Sequence, residues 1–338
     1  MHRCLELAVK GTPSAFPNPL VGSVIVKDGR ILGEGFHQAY GEAHAEVNAV
    51  ASVANPEDFK EATIYVSLEP CAHHGKTPPC SDLIIQKGIP NVVVAIRDPF
   101  HAVDGKGIER LKNHGIKVEV GVLEKEAFEI NRKFFTFHQK KRPYITLKWA
   151  QTADGFLDRN DAQENRGPNW ITQPETKQLV HKWRSENQAI LVGATTALVD
   201  NPSLTVRDYP GNSPLRILLD PERIVPLTHQ LFNGEGATWV LSNNDLQYGN
   251  EKVIPFDGKN AINSLLDIAY AQGIQSIFVE GGAATLNSFI ESNLWDEAMI
   301  LEGDVLFHYG LPAPKLKDEL LVKKSTYGKD RVHYFRNR

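Results

Sequence analysis

The sequence has few cysteines, little net charge and no long apolar run, and each absence excludes a class of protein. Three cysteines among 338 residues are too few for a disulfide framework, which favours a reducing compartment. A net charge of −4 and a pI near 6.3 predict no basic surface for a polynucleotide or an acidic membrane. No apolar segment approaches the ~20 residues of a membrane helix, and the charged N-terminal segment does not resemble a signal peptide. We therefore expect a soluble cytoplasmic protein with no nucleic-acid or membrane partner.

The apolar pattern predicts strands that alternate with helices in both halves of the chain. A chain of 338 residues exceeds what one hydrophobic core usually serves. Two apolar strands flank residues 27–30, where Asp-Gly predicts a hairpin turn, and residues 123–141 are predicted to form one long helix that ends before Pro143. The sequence thus predicts an α/β fold in two domains, residues 1–142 and residues 143–338.

Two of the three cysteines lie in the Gly/Pro-rich stretch EPCAHHGKTPPC, and the upstream stretch GEAHAEVNAV supplies a histidine. Two thiolates and one imidazole, from Cys71, Cys80 and His44, suit Zn²⁺ better than Mg²⁺ or Ca²⁺. Three protein ligands leave the fourth tetrahedral position for water, as in catalytic zinc sites. The alternative is a closed structural site in which a histidine of the AHHG segment is the fourth ligand.

Glu46 follows His44 by two residues, which suits a proton shuttle. A carboxylate there can take a proton from water and pass it to a ring nitrogen and a departing amine. Zinc nucleobase deaminases combine H-x-E with a later P-C-x-x-C, whereas eight residues separate Cys71 from Cys80 here. A structural zinc site has no need of this glutamate, and buried apolar cysteines would not require so polar a loop. The pattern therefore predicts zinc deaminase chemistry with a stretched cysteine spacing.

These stretches resemble a known family. PNPLVGSVIV, GEAHAEVNAV and LEPCAHHGKTPPC are similar to the deaminase half of the bacterial bifunctional riboflavin-biosynthesis deaminase–reductases, which carry the stretched cysteine spacing. LVGATTALVDNPSLTVR and FVEGGAATLNSFI are similar to the reductase half, so the resemblance covers essentially the whole chain. It implies a cytidine-deaminase-like αβα first domain, a dihydrofolate-reductase-like α/β second domain and a homo-oligomer, either a dimer or a tetramer.

The resemblance also implies two consecutive reactions on a phosphorylated pyrimidine. Zinc-dependent hydrolysis converts 2,5-diamino-6-(5-phosphoribosylamino)pyrimidin-4-one to 5-amino-6-(5-phosphoribosylamino)uracil. NADPH then reduces the ribosyl group to a ribityl group.

For the first half, the resemblance implies that His44, Cys71 and Cys80 are zinc ligands and that Glu46 is the proton shuttle. The residues that it implies contact the deaminase substrate are Asn18, His37, His73, Lys76 and Asp98. Without the resemblance, His37 and Asp98 would be assigned to the surface or to turns. The sequence departs from the family at Ala43, where proline is usual, and at Phe100, where asparagine is usual.

In the second half, no G-x-G-x-x-G follows a strand, so the usual dinucleotide fingerprint is missing. VEGGAATLNSF instead places a glycine pair between a strand and a helix, where backbone N–H groups suit a phosphate; such a pair also serves simply as a tight turn. The residues that the resemblance implies bind NADPH are Ala150, Trp170, Thr196, Asp200, Gly282, Ala283, Ala284, Thr285, Leu286, Asn287 and Ser288. For Trp170, the alternative to a role in NADPH binding is ordinary packing in the hydrophobic core.

The remaining implied roles concern the reductase substrate. Arg184 and Arg207 can hold its phosphate in guanidinium forks, Glu280 can accept a hydrogen bond from it, and Leu204 is implied as a further contact. Lys148, a cation near the cofactor strand, is implied to assist catalysis by opening the ribose ring. For Arg184, the alternative to binding the substrate phosphate is a position on a solvent-exposed helix face.

Two other functions remain open from the sequence. A zinc deaminase that acts on a nucleic-acid base would release ammonia from an oligonucleotide, although the net charge of −4 counts against it. A reductase half that had become a dimerisation or binding module would fail to bind NADPH. The departures at Phe156, where arginine is usual, and at Pro168, near a usual serine, favour this second alternative, whereas the retained VEGG and DNPSLTVR stretches oppose it.

Overall fold

The computed structural model describes residues 1–72, 78–159, 169–244, 247, 249–255, 260–317 and 319–338. The chain divides into two compact units, Met1–Lys140 and Lys141–Arg338. No helix in the described ranges is long and apolar enough to cross a membrane.

The first unit is built on a five-stranded sheet. Its strands are β1 (Gly22–Lys27), β2 (Arg30–Phe36), β3 (Thr63–Val66), β4 (Asn91–Val94) and β5 (Lys117–Val120). Its helices are α1 (His2–Ala8), α2 (Ala45–Ala51), α3 (Cys80–Lys87), α4 (Lys106–Asn113), α5 (Glu124–Ile130) and α6 (Arg132–Lys140). The sheet order is β2-β1-β3-β4-β5, in which β1 is antiparallel to both neighbours and β3, β4 and β5 are parallel.

One local prediction for the first unit, the β1–β2 hairpin, is confirmed. Asp28 and Gly29 both have positive φ angles, 49° and 74°, as the two-residue turn of a β1–β2 hairpin requires. Helix α3 ends at Gly88, which adopts the left-handed conformation at φ 69°. Both features follow from short-range turn chemistry.

The prediction of one long helix over residues 123–141 was wrong, because the structure has two helices there. The buried side chain of Asn131 separates α5 from α6. Its amide donates to the Leu20 carbonyl over 2.9 Å and accepts from the Leu20 N–H over 2.8 Å. The break thus satisfies both main-chain groups of a residue that lies far away in the sequence.

Among its described residues, the second unit has eleven strands, nine of which form one sheet. Its strands are β6 (Tyr144–Gln151), β7 (Phe156–Asp158), β8 (Ala189–Gly193), β9 (Leu215–Leu219), β10 (Thr238–Ser242), β11 (Lys252–Pro255), β12 (Ser276–Val279), β13 (Glu297–Glu302), β14 (Leu311–Pro312), β15 (Glu319–Tyr327) and β16 (Asp330–Asn337). Its helices are α7 (Pro174–Ser185), α8 (Ala194–Asp200), α9 (Ala261–Ala271) and α10 (Ala283–Glu291). The order β11-β10-β9-β8-β12-β6-β13 is parallel throughout, and β16 and β15 extend it antiparallel, while β7 pairs with β14.

Helices cover both faces of this sheet. On one face, α9 and α10 pack Leu265 and Phe289 against Ile145. On the other, α7 packs Trp183 in a cluster with Ile190. Because the seven parallel strands run in one direction, their carboxyl ends meet at one edge of the sheet, which is where α/β sheets bind ligands.

The C-terminal hairpin, β15 and β16, was not predicted from the sequence. β15 is an edge strand, and nearly all of its residues are exposed. It therefore lacks the alternation of apolar and polar residues that marks a half-buried strand.

Candidate active sites

The three predicted metal ligands lie close together in the first unit. His44 precedes α2 as its N-terminal cap residue, Cys71 lies in the loop after β3, and Cys80 is the first residue of α3. Their ligand atoms lie within 4.8 Å of one another. Nδ1 of His44 is 3.3 Å from Sγ of Cys80 and 3.6 Å from Sγ of Cys71. Residues separated by 36 positions in the chain are thus brought to one point.

These distances fit a tetrahedral zinc site. With Zn–N bonds of about 2.0 Å and Zn–S bonds of about 2.3 Å, an imidazole nitrogen and a thiolate sulfur on one zinc lie about 3.6 Å apart. Hydrogen bonds from Cys80 and His44 hold the pKa of the Cys71 thiol well below its usual value. The partner thiol of Cys80 has a raised pKa because of its hydrogen bond to Cys71 and its burial. Zinc binding would require both cysteines as thiolates and would therefore release any proton that they hold.

Glu46 is the second residue of α2 and is 3% exposed. Burial raises the pKa of its carboxyl to about 7, and the neighbouring Cys71 adds to this shift. A carboxyl with a pKa near neutrality can both accept and release a proton at physiological pH. Glu46 therefore has the chemistry of a proton shuttle beside the three ligands.

Asn18 and His37 lie beside the ligand His44. The rings of His37 and His44 have centroids 5.6 Å apart. Nδ1 of His37 donates to the Ala43 carbonyl over 3.1 Å, so Nε2 accepts from the Asn18 amide over 3.0 Å. Burial lowers the pKa of His37, which keeps its ring neutral. A proline in place of Ala43 would offer the same carbonyl, so this departure preserves the hydrogen bond.

Asp98 lies after β4 and is buried, unlike a surface turn residue. Its Oδ1 accepts the Phe100 N–H over 2.8 Å. Burial raises the pKa of this carboxyl to about 7. The ring of Phe100, at the departure from the family, packs against those of His101 and His138.

Glu69 is a buried carboxylate that sequence reasoning missed. Its two oxygens accept four backbone N–H groups, over distances of 3.0–3.3 Å, from Asp98, Gly105, Gly107 and Ile108. A charged residue three positions after β3 and directly before Pro-Cys was the available signal. Its partners, all about 30 to 40 positions away, could not be read from that signal.

Three of the residues singled out from the sequence lie outside the described residues. They are His73 and Lys76, predicted to contact the deaminase substrate, and Pro168, a departure from the family.

A cavity of about 620 Å³ lies in the second unit at the carboxyl ends of its parallel strands. Its size suits a cofactor or a drug-sized ligand. Eight of the predicted cofactor residues line it, namely Ala150, Thr196, Asp200, Gly282, Ala283, Ala284, Thr285 and Leu286. The lining residues that sequence reasoning missed include Gly193, Ala194 and Thr195, where β8 meets α8. The GAT sequence at a strand end, with glycine before a helix, was the signal for them.

The glycines of this cavity allow two helices to approach each other. A Cβ on Gly282 would lie 2.8 Å from Oγ1 of Thr196, and a Cβ on Gly193 would lie 2.6 Å from Oγ1 of Thr285. Helix α10 begins directly after Gly282, and its first intrahelical bond runs from the Leu286 N–H to the Gly282 carbonyl. The N–H groups of its first turn thus face the cavity without intrahelical acceptors and suit an anionic group.

Three predicted cofactor residues, Trp170, Asn287 and Ser288, are not among the described residues that line the cavity. Trp170 is 65% exposed, so the core-packing alternative does not hold for it. Nζ of Lys177 lies 3.8 Å from its ring centroid, a cation–π contact. Its neighbours Asn169 and Ile171 do line the cavity.

Lys148, Glu280 and Arg184 form a charged cluster at the cavity. Glu280 accepts two hydrogen bonds from Arg184, over 2.6 and 2.8 Å, and lies 3.9 Å from Nζ of Lys148. Burial opposes ionisation of Glu280, but the two cations outweigh it and lower the pKa of the carboxyl to about 2. Burial lowers the pKa of Lys148, and the negative charge of Glu280 partly offsets this shift. Arg184 is therefore part of a buried ion pair and not of a solvated helix face.

The segment after α8 packs on α7 next to this cluster. Arg184 donates to the Thr205 carbonyl over 3.2 Å, and Nδ1 of His181 accepts the Arg207 N–H over 3.3 Å. The guanidinium of Arg207 is exposed, with a hydrogen bond to Ser203 over 3.1 Å. The Leu204 side chain is buried in the core, so only its backbone is available to a substrate.

Comparisons with known proteins agree with both sites. The family model of the cytidine and deoxycytidylate deaminase zinc-binding region matches residues 1–96, and that of the RibD C-terminal domain matches residues 143–306. A riboflavin biosynthesis protein RibD of Aquifex aeolicus is 41% identical, over 99% of this chain and 97% of its own length. The chain belongs to the RibD family.

Solved structures of the RibD family have the same fold. A diaminohydroxyphosphoribosylaminopyrimidine deaminase/5-amino-6-(5-phosphoribosylamino)uracil reductase of Thermotoga maritima is 36% identical, with a TM-score of 0.89 over 100% of this chain and 97% of that chain. RibD of Acinetobacter baumannii is 30% identical, with a TM-score of 0.88 over 99% of this chain and 97% of that chain. The predicted cytidine-deaminase-like and dihydrofolate-reductase-like folds are confirmed.

Proposed function

We propose that this chain, as a RibD family member, is a bifunctional enzyme of riboflavin biosynthesis. It hydrolyses 2,5-diamino-6-(5-phosphoribosylamino)pyrimidin-4-one to 5-amino-6-(5-phosphoribosylamino)uracil and ammonia, and then reduces the ribosyl group to a ribityl group. Zinc and NADPH are its cofactors. Residues 1–142 carry the deamination and residues 143–338 the reduction.

The observation that carries this proposal is the presence of two different sites in one chain. The first is a His/Cys/Cys set within 4.8 Å, beside a buried carboxyl with a pKa near 7. The second is a cavity of about 620 Å³ whose walls include the N-terminus of α10, Lys148 and Glu280. Arg184 is hydrogen-bonded to Glu280 from behind this wall. A deaminase and a reductase need these two arrangements, respectively.

In the deaminase reaction, His44, Cys71 and Cys80 hold zinc, which when bound supplies Lewis-acid activation of water. As the water oxygen forms a bond to the ring carbon, Glu46 passes one proton of the water to the ring nitrogen. It then passes the second proton, from the newly attached hydroxyl group, to the departing amine as the C=O group forms. The C–N bond to the amine breaks and ammonia leaves. Asn18, His37 and Asp98 surround this point with polar groups that orient the pyrimidine ring, and His73 and Lys76 complete the substrate contacts.

In the reductase reaction, NADPH supplies the hydride. The first turn of α10 and the β8–α8 turn would hold its phosphates, since the residues of both line the cavity. Lys148, which burial makes a weaker base than usual, donates a proton to the ring oxygen as the C1′–O4′ bond opens. The resulting C=N carbon accepts the hydride, and Arg207 together with the Arg184–Glu280 pair positions the phosphorylated substrate.

A coupled assay with two readouts tests the proposal. The purified chain is given zinc, NADPH and the diaminopyrimidinone ribosyl phosphate, and ammonia release and NADPH oxidation are followed separately. Ammonia should appear first and NADPH loss should follow it. Glu46→Gln should stop both signals, whereas NADPH oxidation should persist in this variant when the deaminated uracil is supplied. Absence of ammonia from the zinc-loaded wild type would overturn the substrate assignment.

We further propose that the enzyme acts in the cytoplasm as a homo-oligomer, a dimer or a tetramer. Cys4, Cys71 and Cys80 are all free thiols, which suits a reducing compartment. Sedimentation equilibrium at micromolar concentration tests the oligomer, and a mass equal to one chain would contradict it.

A further inference from the structure

We propose that Glu69 is a positioning residue of the deaminase, which fixes the loop that carries Asp98 against the loop that carries the metal ligand Cys71. The inference rests on the proposed function, in which Asp98 contacts the pyrimidine. It assigns a role to a residue that belongs neither to the metal ligands nor to the predicted substrate contacts.

The hydrogen bonds of Glu69 join it to the two ends of one segment, residues 98–108. Oε1 accepts the N–H groups of Gly107 and Ile108, at the start of α4, over 3.0 and 3.3 Å. Oε2 accepts those of Gly105 and Asp98, in the segment after β4, over 3.0 and 3.3 Å. Because an ionised carboxylate only accepts, four converging donors satisfy both of its oxygens. One side chain thus holds both ends of the segment 98–108.

The same residue is attached to the metal-binding loop. Glu69 is separated from Cys71 only by Pro70, and its own N–H donates to the Ile96 carbonyl over 3.0 Å. The backbone at Pro70 also touches the start of α4 closely, since a Cβ on Gly107 would lie 1.9 Å from the Pro70 carbonyl oxygen. Any shift of Glu69 therefore changes the distance between Asp98 and the metal-binding loop.

Other hydrogen bonds, which do not involve Glu69, also hold Cys71 in place. The Cys80 N–H donates to its Sγ over 3.3 Å, and the Ser81 N–H and Oγ donate to its carbonyl over 3.1 and 3.0 Å. Loss of the Glu69 hydrogen bonds should therefore move Asp98 while leaving the zinc ligands in place. This separates a positioning role from a role in metal binding.

The test is a double-mutant cycle between Glu69→Gln and Asp98→Asn. Glutamine keeps the size of the side chain but has one acceptor oxygen, and its NH₂ faces two N–H donors. Glu69→Gln should raise KM for the diaminopyrimidinone substrate about 10-fold, the size of effect expected from the net loss of about one hydrogen bond, with a smaller change in kcat and full zinc content. In the Asp98→Asn background the same change should alter KM less than about 2-fold, because the two residues act as one unit.

Glu109→Gln, on the exposed side of α4, is the matched control for the loss of one negative charge and should leave KM unchanged. NADPH oxidation with the deaminated uracil is an internal control, because it should be the same in all variants. An unchanged KM in Glu69→Gln, an undiminished effect in the Asp98→Asn background, or an Asp98→Asn variant with wild-type KM would each overturn the inference.

Hydrogen–deuterium exchange gives a readout that does not need activity. Peptides that cover residues 98–108 should exchange faster in Glu69→Gln, while peptides that cover residues 79–87 should not change. Equal exchange in residues 98–108 would overturn the inference even if the activity data agreed with it. A wild type that released no ammonia would instead overturn the proposed function, and the exchange experiment would still decide whether Glu69 holds this segment.

Discussion

Replacing Glu280 with glutamine should destabilise the second unit by about 3 kcal/mol at neutral pH. The carboxylate lies between Arg184 and Lys148, and the side-chain exposures of the three residues are only 7%, 12% and 15%, so water screens them weakly. The two cations outweigh burial and lower the pKa of Glu280 from 4.5 to about 2. That difference corresponds to about 3 kcal/mol of folding free energy, and loss of one partner of a buried pair costs about 3–5 kcal/mol.

Urea unfolding followed by tryptophan fluorescence measures this effect. The five tryptophans, at positions 149, 170, 183, 239 and 295, all belong to the second unit, so the signal reports on that unit alone. Glu291→Gln, at an exposed position of α10, is the matched control for the charge. If Glu280→Gln unfolds within about 0.5 kcal/mol of the wild type, the cluster does not stabilise the fold as we infer.

The same cluster predicts a pH dependence with a definite sign. A carboxyl whose pKa is lower in the folded state stabilises the fold above its unfolded pKa and loses that contribution as the pH falls through its folded pKa. For Glu280 this window extends from 4.5 down to about 2. Between these values the wild type should lose stability more steeply than Glu280→Gln. Parallel curves for the two proteins would contradict this assignment.

Three further predictions concern single side chains. Cys80→Ser should lose zinc, measured by atomic absorption, and stop ammonia release while NADPH oxidation with the deaminated uracil continues; full zinc content would contradict the ligand set. Gly282→Ala should raise the Kd for NADPH about 10-fold in a fluorescence titration, because the new Cβ would lie 2.8 Å from Oγ1 of Thr196, and an unchanged Kd would argue against this close approach. Asn131→Ala should destabilise the first unit by about 1–3 kcal/mol in thermal unfolding, since both Leu20 main-chain groups lose their partner, whereas the exposed control Asn113→Ala should not.

The metal site is predictable from the sequence because its residue types identify it even though its ligands are far apart in the chain. Ligand type and spacing suffice to name His44, Cys71 and Cys80 as a zinc set, and the fold brings their ligand atoms within 4.8 Å of one another. Glu46 lies two residues from one of these ligands, so its position follows from theirs. The fold class is also accessible, because strands and helices alternate with clear apolar patterns.

What the sequence could not predict are contacts between distant segments. Arg184 was assigned either to a substrate phosphate or to a solvated face, because nothing within its helix indicates that Glu280, 96 positions away, forms a bidentate pair with it. Asn131 interrupts an otherwise helical pattern through Leu20, 111 positions away. In each case the deciding partner lies in another element of the fold, and residue type alone does not identify it.

Both units place their chemistry where parallel strands end. In the first, Cys71 follows β3 and Asp98 follows β4; in the second, the turns after β8 and β12 form the walls of the cavity. The loop that follows β4 and the start of α4 leave N–H groups without backbone acceptors, and the carboxylate of Glu69 accepts four of them. We infer that a buried carboxylate in this position orders the loop that carries Asp98 while remaining outside the set of metal ligands. The two halves of one chain thus hold different sets of polar groups at the strand ends of two α/β units.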